Sequence, residues 1–222
     1  HFNEFKSYCY MSATPIAMDF KPDALKDVEE YIADWKHIEP LTILPYKTNR
    51  AYMLTANLIK AYQREGYIKK DELKSYEAYF FINSVTEIKK ILEYTHLTND
   101  DCRIICADEA KNRETLGEYR ISSSTDAPKK FNFITSKSFE GVDFYSETGI
   151  CYVVSNIHNE HTLLSVDMDI PQIAGRIRNT NNPFRNLVVH IFNTRPKDYY
   201  ENYGKAKKEI EKELEYAKER AT

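Results

Sequence analysis

Two stretches in the second half of the chain carry the residue types that handle phosphate. In Thr135-Ser136-Lys137-Ser138-Phe139-Glu140-Gly141-Val142-Asp143 a hydroxyl opens the segment, a glycine lets the backbone pass close to a phosphate or a neighbouring domain, and a carboxylate follows two residues later. In Gln172-Ile173-Ala174-Gly175-Arg176-Ile177-Arg178 two guanidinium groups stand beside a glycine that permits tight approach. An arginine fork matches two phosphate oxygens at once. Phosphoryl transfer is accelerated by positive charge placed where the transition state spreads its own, and an arginine there is worth about a thousandfold or more. A third place is Asn83-Ser84-Val85-Thr86-Glu87, where Ser84 and Glu87 have the spacing of a capping box directly after an apolar run. A strand that feeds a helix N-terminus leaves free backbone N–H groups at the carboxyl edge of a sheet, a ready anion site. Each place also has a plainer reading: a strand with a small-residue loop, a basic surface helix, a well-capped structural helix.

Other candidates carry less. Asp108-Glu109-Ala110 after an apolar strand mimics an acidic Mg²⁺-site motif, but that motif works only with a phosphate loop upstream to hold the nucleotide. None of the six glycines forms Gly-x-x-x-x-Gly-Lys-Ser/Thr, and Gly204-Lys205-Ala206 lacks both the earlier glycine and the hydroxyl. Asp108 and Glu109 therefore read as a solvated loop start. His158 and His161 lie three apart with no third ligand at suitable spacing, and His-Glu-x-x-His is absent, so no metal is expected. The four cysteines, Cys9, Cys102, Cys106 and Cys151, sit in apolar strand-like runs without zinc-type pairing. Reduced, buried, inert thiols of a cytosolic protein are expected.

The totals permit one large domain or one domain with extensions: 222 residues, 42% hydrophobic and 29% charged, with a net charge of −3 that gives no global pull toward a polyanion. No unbroken apolar run approaches the roughly 20 residues that span a bilayer. Tyrosine is common at 17 copies, which suits half-buried positions and by itself says nothing of base stacking.

The elements that must position these residues follow from pattern. Tyr8–Met11 reads as a short strand ending at Ser12-Ala13-Thr14-Pro15, and Pro22 to Asp34 as an amphipathic helix with Leu25, Val28, Tyr31 and Ile32 at helical spacing. Ile38 to Leu44 is expected as an edge strand bounded by Pro40 and Pro45. Thr48 is expected to cap a helix with its stripe at Ala51, Leu54, Leu58 and Ala61, closed by Gly66. Ala78–Ile82, without alternation, predicts a central strand covered on both faces, followed by the helix of Val85, Ile88, Ile91 and Leu92. Phe131–Ile134 and Ile150–Val154 predict further strands, with Ser122–Thr125 as a polar loop before the first. Pro171 suits a helix start before Gln172, Leu187–Phe192 predicts a last strand finishing the sheet with His190 as a packed core residue, and Lys197 onward a charged helix.

Taken together, Ser12-Ala13-Thr14, Thr135…Gly141-Val142-Asp143 and Gln172…Gly175-Arg176-Ile177-Arg178 stand in the order of three motifs of superfamily 2 helicases, and the chain from Tyr8 to about Phe192 resembles that family. It departs from the pattern Gln-x-x-Gly-Arg-x-x-Arg in one place: the second arginine is six positions after Gln172, and Asn179 stands at the seventh. The shorter form occurs in branches similar to viral origin-binding and RNA-sensing helicases, and the variants have a phage, mobile-element or origin-binding flavour. Glu140 occupies a position where many relatives have a small residue.

The resemblance implies a three-layer α/β RecA-like domain with a mostly parallel central sheet. Residues 1–20 would end the first RecA-like domain and form a linker, 21–196 would be the C-terminal RecA-like domain, and 197–222 a charged helix. By the same resemblance Arg176 as the arginine finger, with Arg178 as its partner and Gln172 beside them, serves ATP hydrolysis in trans, and Gly141 and Asp143 sense the nucleotide. Thr135, Ser136, Asn83 and Ser84 contact the nucleic-acid backbone, and Ser12 and Thr14 couple the two domains. The implied cofactor is ATP with Mg²⁺, held mainly by an N-terminal RecA-like domain preceding this chain. The implied partner is nucleic acid, DNA in preference to RNA, in the cytoplasm and away from membranes. The competing expectation is a non-catalytic module for nucleic-acid binding or partner docking with the same fold. A small-molecule α/β enzyme would need a nucleophile or acid–base pair at the strand ends, and the sequence offers no convincing one.

Overall fold

Strand and helix patterns in the chain resolve into the expected architecture. A computed structural model describes residues 9, 21–32, 40–139, 142–165, 169–195, 204, 207–208 and 210–212. Ser12, Thr14, Glu140 and Gly141 lie outside the described residues, as does most of the charged C-terminal segment. The chain divides into two compact units, His1–His37 with Pro196–Thr222, and Ile38–Arg195.

In the first unit, where a helix is predicted from Pro22 to Asp34, the described residues up to Ile32 hold a single turn, α1 (Asp23–Lys26). Four residues cannot sustain a helix without burial, and Val28, Tyr31 and Ile32 are all exposed, Tyr31 to 85%. Cys9 is exposed as well, unlike the buried thiol expected there.

The second unit runs β1 (Thr42–Lys47), α2 (Ala51–Glu65), β2 (Ile68–Lys70), β3 (Leu73–Ser75), β4 (Ala78–Phe81), α3 (Val85–Thr95), β5 (Cys102–Ile105), α4 (Ala110–Leu116), β6 (Phe131–Ile134), β7 (Ile150–Ser155), α5 (Asp169–Ala174) and β8 (Leu187–Phe192). Six of the strands form one parallel sheet in the order β1-β8-β7-β4-β6-β5. Strands β4, β5, β6 and β7 are buried at every position, as two-sided strands must be. One face carries α2, α3 and α4, through Ile59, Tyr62, Ile88, Leu92 and Leu116. The other carries α5, through Ile170 and Ile173 against Tyr79, Phe81, Val153 and Val188. This is the three-layer, RecA-like α/β arrangement expected from the sequence.

Several details differ from the expectation. Strand β1 is an edge, but it runs through Pro45 rather than stopping there. Thr42 and Thr48 donate to Asn186 and Phe192 beside β8, so even-numbered residues face the partner and the N–H that Pro45 lacks falls on the outer side. Strand β8 does not finish the sheet; it inserts between β1 and β7. Arg50, not Thr48, is the cap of α2, while Thr48 accepts from the Arg50 N–H at 3.2 Å. The buried stripe of α2 is Ala51, Thr55, Ala56, Ile59 and Tyr62, rotated from the predicted line through Leu54 and Leu58. The rotation admits Tyr62, whose hydroxyl meets those of Ser75 at 2.8 Å and Tyr152 at 3.1 Å inside the core. The antiparallel β2–β3 hairpin was not foreseen, because its residues are mostly polar and short. Gly66 closes α2 with φ +81°, as predicted.

Chain order places the site. Strands β5 and β6 lie on one side of β4, and β7 and β8 on the other. The chain therefore reverses across β4, and the crevice of such a sheet opens at the carboxyl ends of the strands at this switch point.

Gly149 precedes β7, with its N–H on Ser146 Oγ at 2.8 Å. A Cβ there would press on Tyr79 Cε2, with Tyr79 Cδ2 at 2.9 Å and Ser146 Oγ at 2.7 Å. Gly149→Ala is expected to destabilise the chain by about 1–3 kcal/mol, read as a lower urea midpoint; an unchanged midpoint would contradict this packing.

Candidate phosphate and nucleic-acid interface

The carboxyl ends of β4, β5 and β6 and the loop after β7 enclose a cleft of about 520 Å³. Its floor begins where β4 runs into α3. Ser84 is extended (φ −157°, ψ 107°), and its hydroxyl accepts from the Glu87 N–H at 3.4 Å, as the capping box predicts. The reciprocal arm is not made, because the Glu87 carboxylate turns to Lys90 Nζ at 2.7 Å. Val85 and Thr86 also line the cleft, and as first-turn residues their N–H groups have no carbonyl within the helix to bond.

Thr135 lies across from this helix end. It is only 6% exposed, and its backbone is fixed by donation to Ile105 O at 3.0 Å and by acceptance from Ser138 N at 2.9 Å, which winds residues 136–138 into a 3₁₀ turn. Its hydroxyl lines the cleft with no hydrogen-bond partner among the described residues. Lys137 from the same turn and Lys111 from α4 bring positive charge to the cleft. Neither lysine was singled out from the sequence. Lys137 lay within reach, two residues after Thr135, whereas Lys111, Asn112 and His161 join the cleft only through the strand order.

Asn83, expected as a phosphate contact, lines the cleft with its amide bonded to protein. Its Oδ1 accepts from Ser136 N at 3.2 Å and Ser136 Oγ at 2.7 Å, and its Nδ2 donates to His161 O at 2.6 Å. The amide is thus engaged with protein at both ends. The loop bearing His161 is itself held by Asn193, which accepts from Ile157 N at 2.7 Å and donates to Asn156 Oδ1 at 2.8 Å, and by Thr162, which accepts from Asn156 N at 3.0 Å.

A second cluster stands on the face covered by α5. Helix α5 ends at Ala174, and the next residues run alongside the end of the 135–143 segment: Phe144 N donates to Arg176 O at 2.7 Å, and Arg178 N donates to Phe144 O at 2.9 Å. Asp143 is thereby set beside both arginines. Arg178 Nε donates to Asp143 Oδ1 at 2.9 Å, and Arg176 Nη1 lies 3.9 Å from the same oxygen. The two guanidinium groups differ in setting. Arg176 is buried and folded onto its own segment, donating to Gln172 O at 2.8 Å, Gln172 Oε1 at 3.2 Å and Val142 O at 3.4 Å. The Arg178 side chain is 50% exposed and directs Nε to Asp143, and its terminal Nη pair has no partner among the described residues. Gln172 acts here as the clamp on Arg176. The structure thus joins Asp143, Gln172, Arg176 and Arg178 in one cluster, and Thr135, Ser136, Asn83 and Ser84 in the cleft.

A hydroxyl–imidazole pair invisible in the sequence sits at the ends of β7 and β8, with Ser155 Oγ 3.0 Å from His190 Nε2. Ser155 is buried, the pair does not line the cleft, and burial alone lowers the His190 pKa, with no carboxylate contributing. This is a satisfied internal pair linking two strands, as expected of His190, and lacks the oriented base of a nucleophilic site. Burial pushes the thiols of Cys102 and Cys151 up to about 12 and that of Cys106 up to about 11, which keeps them protonated. Among the described residues no three His, Cys, Asp or Glu side chains converge on a metal site, and no helix is long and apolar enough to cross a membrane.

Because folding depresses the His190 pKa, the unfolded chain binds the proton more readily between the folded value and the ordinary value of about 6.5. The His190 contribution to stability is therefore fully present above about pH 6.5 and is lost as pH falls through the folded value. His190→Gln is expected to flatten the urea midpoint against pH on the acid side of about 6.5; an unaltered slope would contradict this. No family model matches the chain, and no curated protein matches it at a significant level.

Proposed function

We propose that the chain is the C-terminal motor domain of a cytoplasmic ATP-dependent nucleic-acid helicase or translocase of superfamily 2. It would hold a nucleic-acid strand, DNA in preference to RNA, in the cleft at the carboxyl edge of the sheet. It would present an arginine from the α5 face to a nucleotide held chiefly by an N-terminal RecA-like domain of the same protein. The observation that carries the reading is the meeting of Asp143 with Arg176 and Arg178: two segments about thirty residues apart, each resembling a motor motif, close on one carboxylate. The first segment has Thr135 in the cleft at one end and Asp143 in the arginine cluster at the other.

The residues present fit a polyphosphate in one respect. The open Nη pair of Arg178 can meet two oxygens while Asp143 steadies Nε. Bound ATP with Mg²⁺ would supply the phosphoryl group whose transfer drives the motor. Arg178 would stabilise charge there, Arg176 would position the segment through Gln172 and Val142, and Thr135, Lys137 and the first turn of α3 would bind the strand phosphates. The non-catalytic binding module has its own support, since the cleft is built entirely from residues 83–161.

Two measurements test these readings, the first the strand binding they share and the second the motor. The 222-residue chain is expected to bind a fluorescein-labelled single-stranded DNA, with Lys137→Ala weakening it and reducing the salt slope by about 0.7, the share of one phosphate on a single strand. Thr135→Ala is expected to weaken binding about threefold to tenfold, the worth of one net hydrogen bond, at unchanged slope. Absence of binding at low salt, or a slope indifferent to Lys137, would sink the strand assignment.

In the full-length protein Arg178→Ala is expected to reduce nucleic-acid-stimulated ATP hydrolysis about a thousandfold, with Arg178→Lys failing to restore it. Arg176→Ala is expected to abolish the stimulation too and, unlike the Arg178 variant, to lower the urea midpoint. The chain alone is expected not to hydrolyse ATP. Full turnover in the Arg178 variant, with DNA binding intact, would leave the binding module in place of the motor.

A further inference from the structure

The side chain of Asn83 lines the cleft with both ends of its amide engaged by protein, Oδ1 accepting twice and Nδ2 donating once. It sits at the end of β4, whose neighbours in the sheet are β7 and β6. One end of its amide reaches the β6 side, at Ser136 N and Oγ, and the other reaches the loop after β7, at His161 O. The orientation is settled by chemistry: a backbone N–H can only donate to Oδ1 and a backbone carbonyl can only accept from Nδ2. Aspartate could serve Ser136 but would repel the His161 carbonyl, and alanine or serine would be too short for either arm. Sequence neighbours complete the picture. Ser84, next to Asn83, caps α3, and Thr135, next to Ser136, is a buried residue whose hydroxyl lines the cleft with no hydrogen-bond partner among the described residues.

We infer that Asn83 is a positioning residue for strand binding: its amide clips the ends of three adjacent strands so that the Thr135 hydroxyl and the first-turn N–H groups of α3 face the same phosphodiester. This rests on the strand-binding reading of the cleft. Asn83 itself does not touch the phosphate; it acts through Ser136 and through the loop at His161. Lys137 follows Ser136 in the same 3₁₀ turn, so the clip also sets the cation that the strand meets. Preorganisation of this kind changes affinity without changing the number of charges at the interface.

The test is a double-mutant cycle on binding of labelled single-stranded DNA to the 222-residue chain, using Asn83→Ala, Ser136→Ala and the pair, with Thr135→Ala alongside. Asn83→Ala is expected to weaken binding about tenfold, the worth of one or two net hydrogen bonds, with the salt slope unchanged. Ser136→Ala is expected to weaken it about threefold, and the pair to bind no worse than Asn83→Ala. Additive losses would mean that Asn83 contacts the strand directly and would overturn the clip. Normal binding by Asn83→Ala, while Thr135→Ala binds weakly, would overturn the clip alone. Failure of the unmodified chain to bind would overturn the strand reading and the clip together. Should Asn83→Ala fail to fold, Ser136→Ala, which removes only the 2.7 Å arm at an exposed position, decides: unchanged binding overturns the clip.

Discussion

Phe80 stacks between Phe133 and Tyr152, with ring centroids at 5.3 and 5.1 Å, and this row of three aromatic rings fixes the centre of the sheet. The three residues are direct register partners across β6, β4 and β7. Each stacked pair is worth about 0.5–1.5 kcal/mol beyond the area it buries. The larger consequence is specificity, since a one-residue slip would turn every ring to the opposite face. Strand β4 must find partners that follow it by some fifty and seventy residues, and the rings supply a reason for one alignment only. That alignment sets the ends of the three strands level, which is why Asn83 can reach Ser136 on one side and the His161 loop on the other. The cleft is a consequence of the ring row.

The same constraint explains what could be read from the sequence. Strands buried on both faces announce themselves as unbroken apolar runs, so Ala78–Phe81, Phe131–Ile134 and Ile150–Ser155 were legible. Local chemistry was legible too: Ser84 as a cap, Gly66 as a helix stop, Pro45 as a mark of an edge strand. Strand order was not, because it depends on pairing across long loops, and so Lys111 and His161 could not be joined to Thr135 beforehand. The buried stripe of α2 is shifted from the predicted one for a related reason, with Leu54 and Leu58 packing at the margin of the same core. Tyr62 and Thr55 are buried because Tyr62 finds Ser75 and Tyr152, and Thr55 finds the Ala51 carbonyl at 2.9 Å, partners that periodicity does not reveal.

Charge in this protein is local in effect. A net charge of −3 says nothing for phosphate binding, yet the cleft gathers Lys111 and Lys137 beside a helix N-terminus. Not every buried cation belongs to a site. Arg103, in β5, is almost fully buried, donates to Asn132 Oδ1 at 3.0 Å and to the Asp126 carbonyl, and lies over the Phe144 ring at 5.3 Å. Its Nη2 has no hydrogen-bond partner among the described residues. It ties β5 to β6 and supports Phe144, whose backbone bonds the arginine segment, so its role is to hold the α5 face together.

The irregular spacing of the arginines has a geometric explanation in the end of α5. On a continuing helix, side chains three or four apart share a face, and a second arginine two positions after the first would point away. Helix α5 stops at Ala174, and residues 176–178 pair with Phe144 as in a parallel sheet. In extended chain the period is two, so residues 176 and 178 fall on one side and residue 177 on the other. Ile177 is accordingly buried in the core of the α5 face, while Arg176 and Arg178 both turn to the Asp143 carboxylate. A spacing of two is what an extended segment requires to bring two guanidinium groups to one carboxylate. Lengthening the interval to three without restoring helix would turn the second arginine toward the side now filled by Ile177, at the cost of burying an unpaired charge.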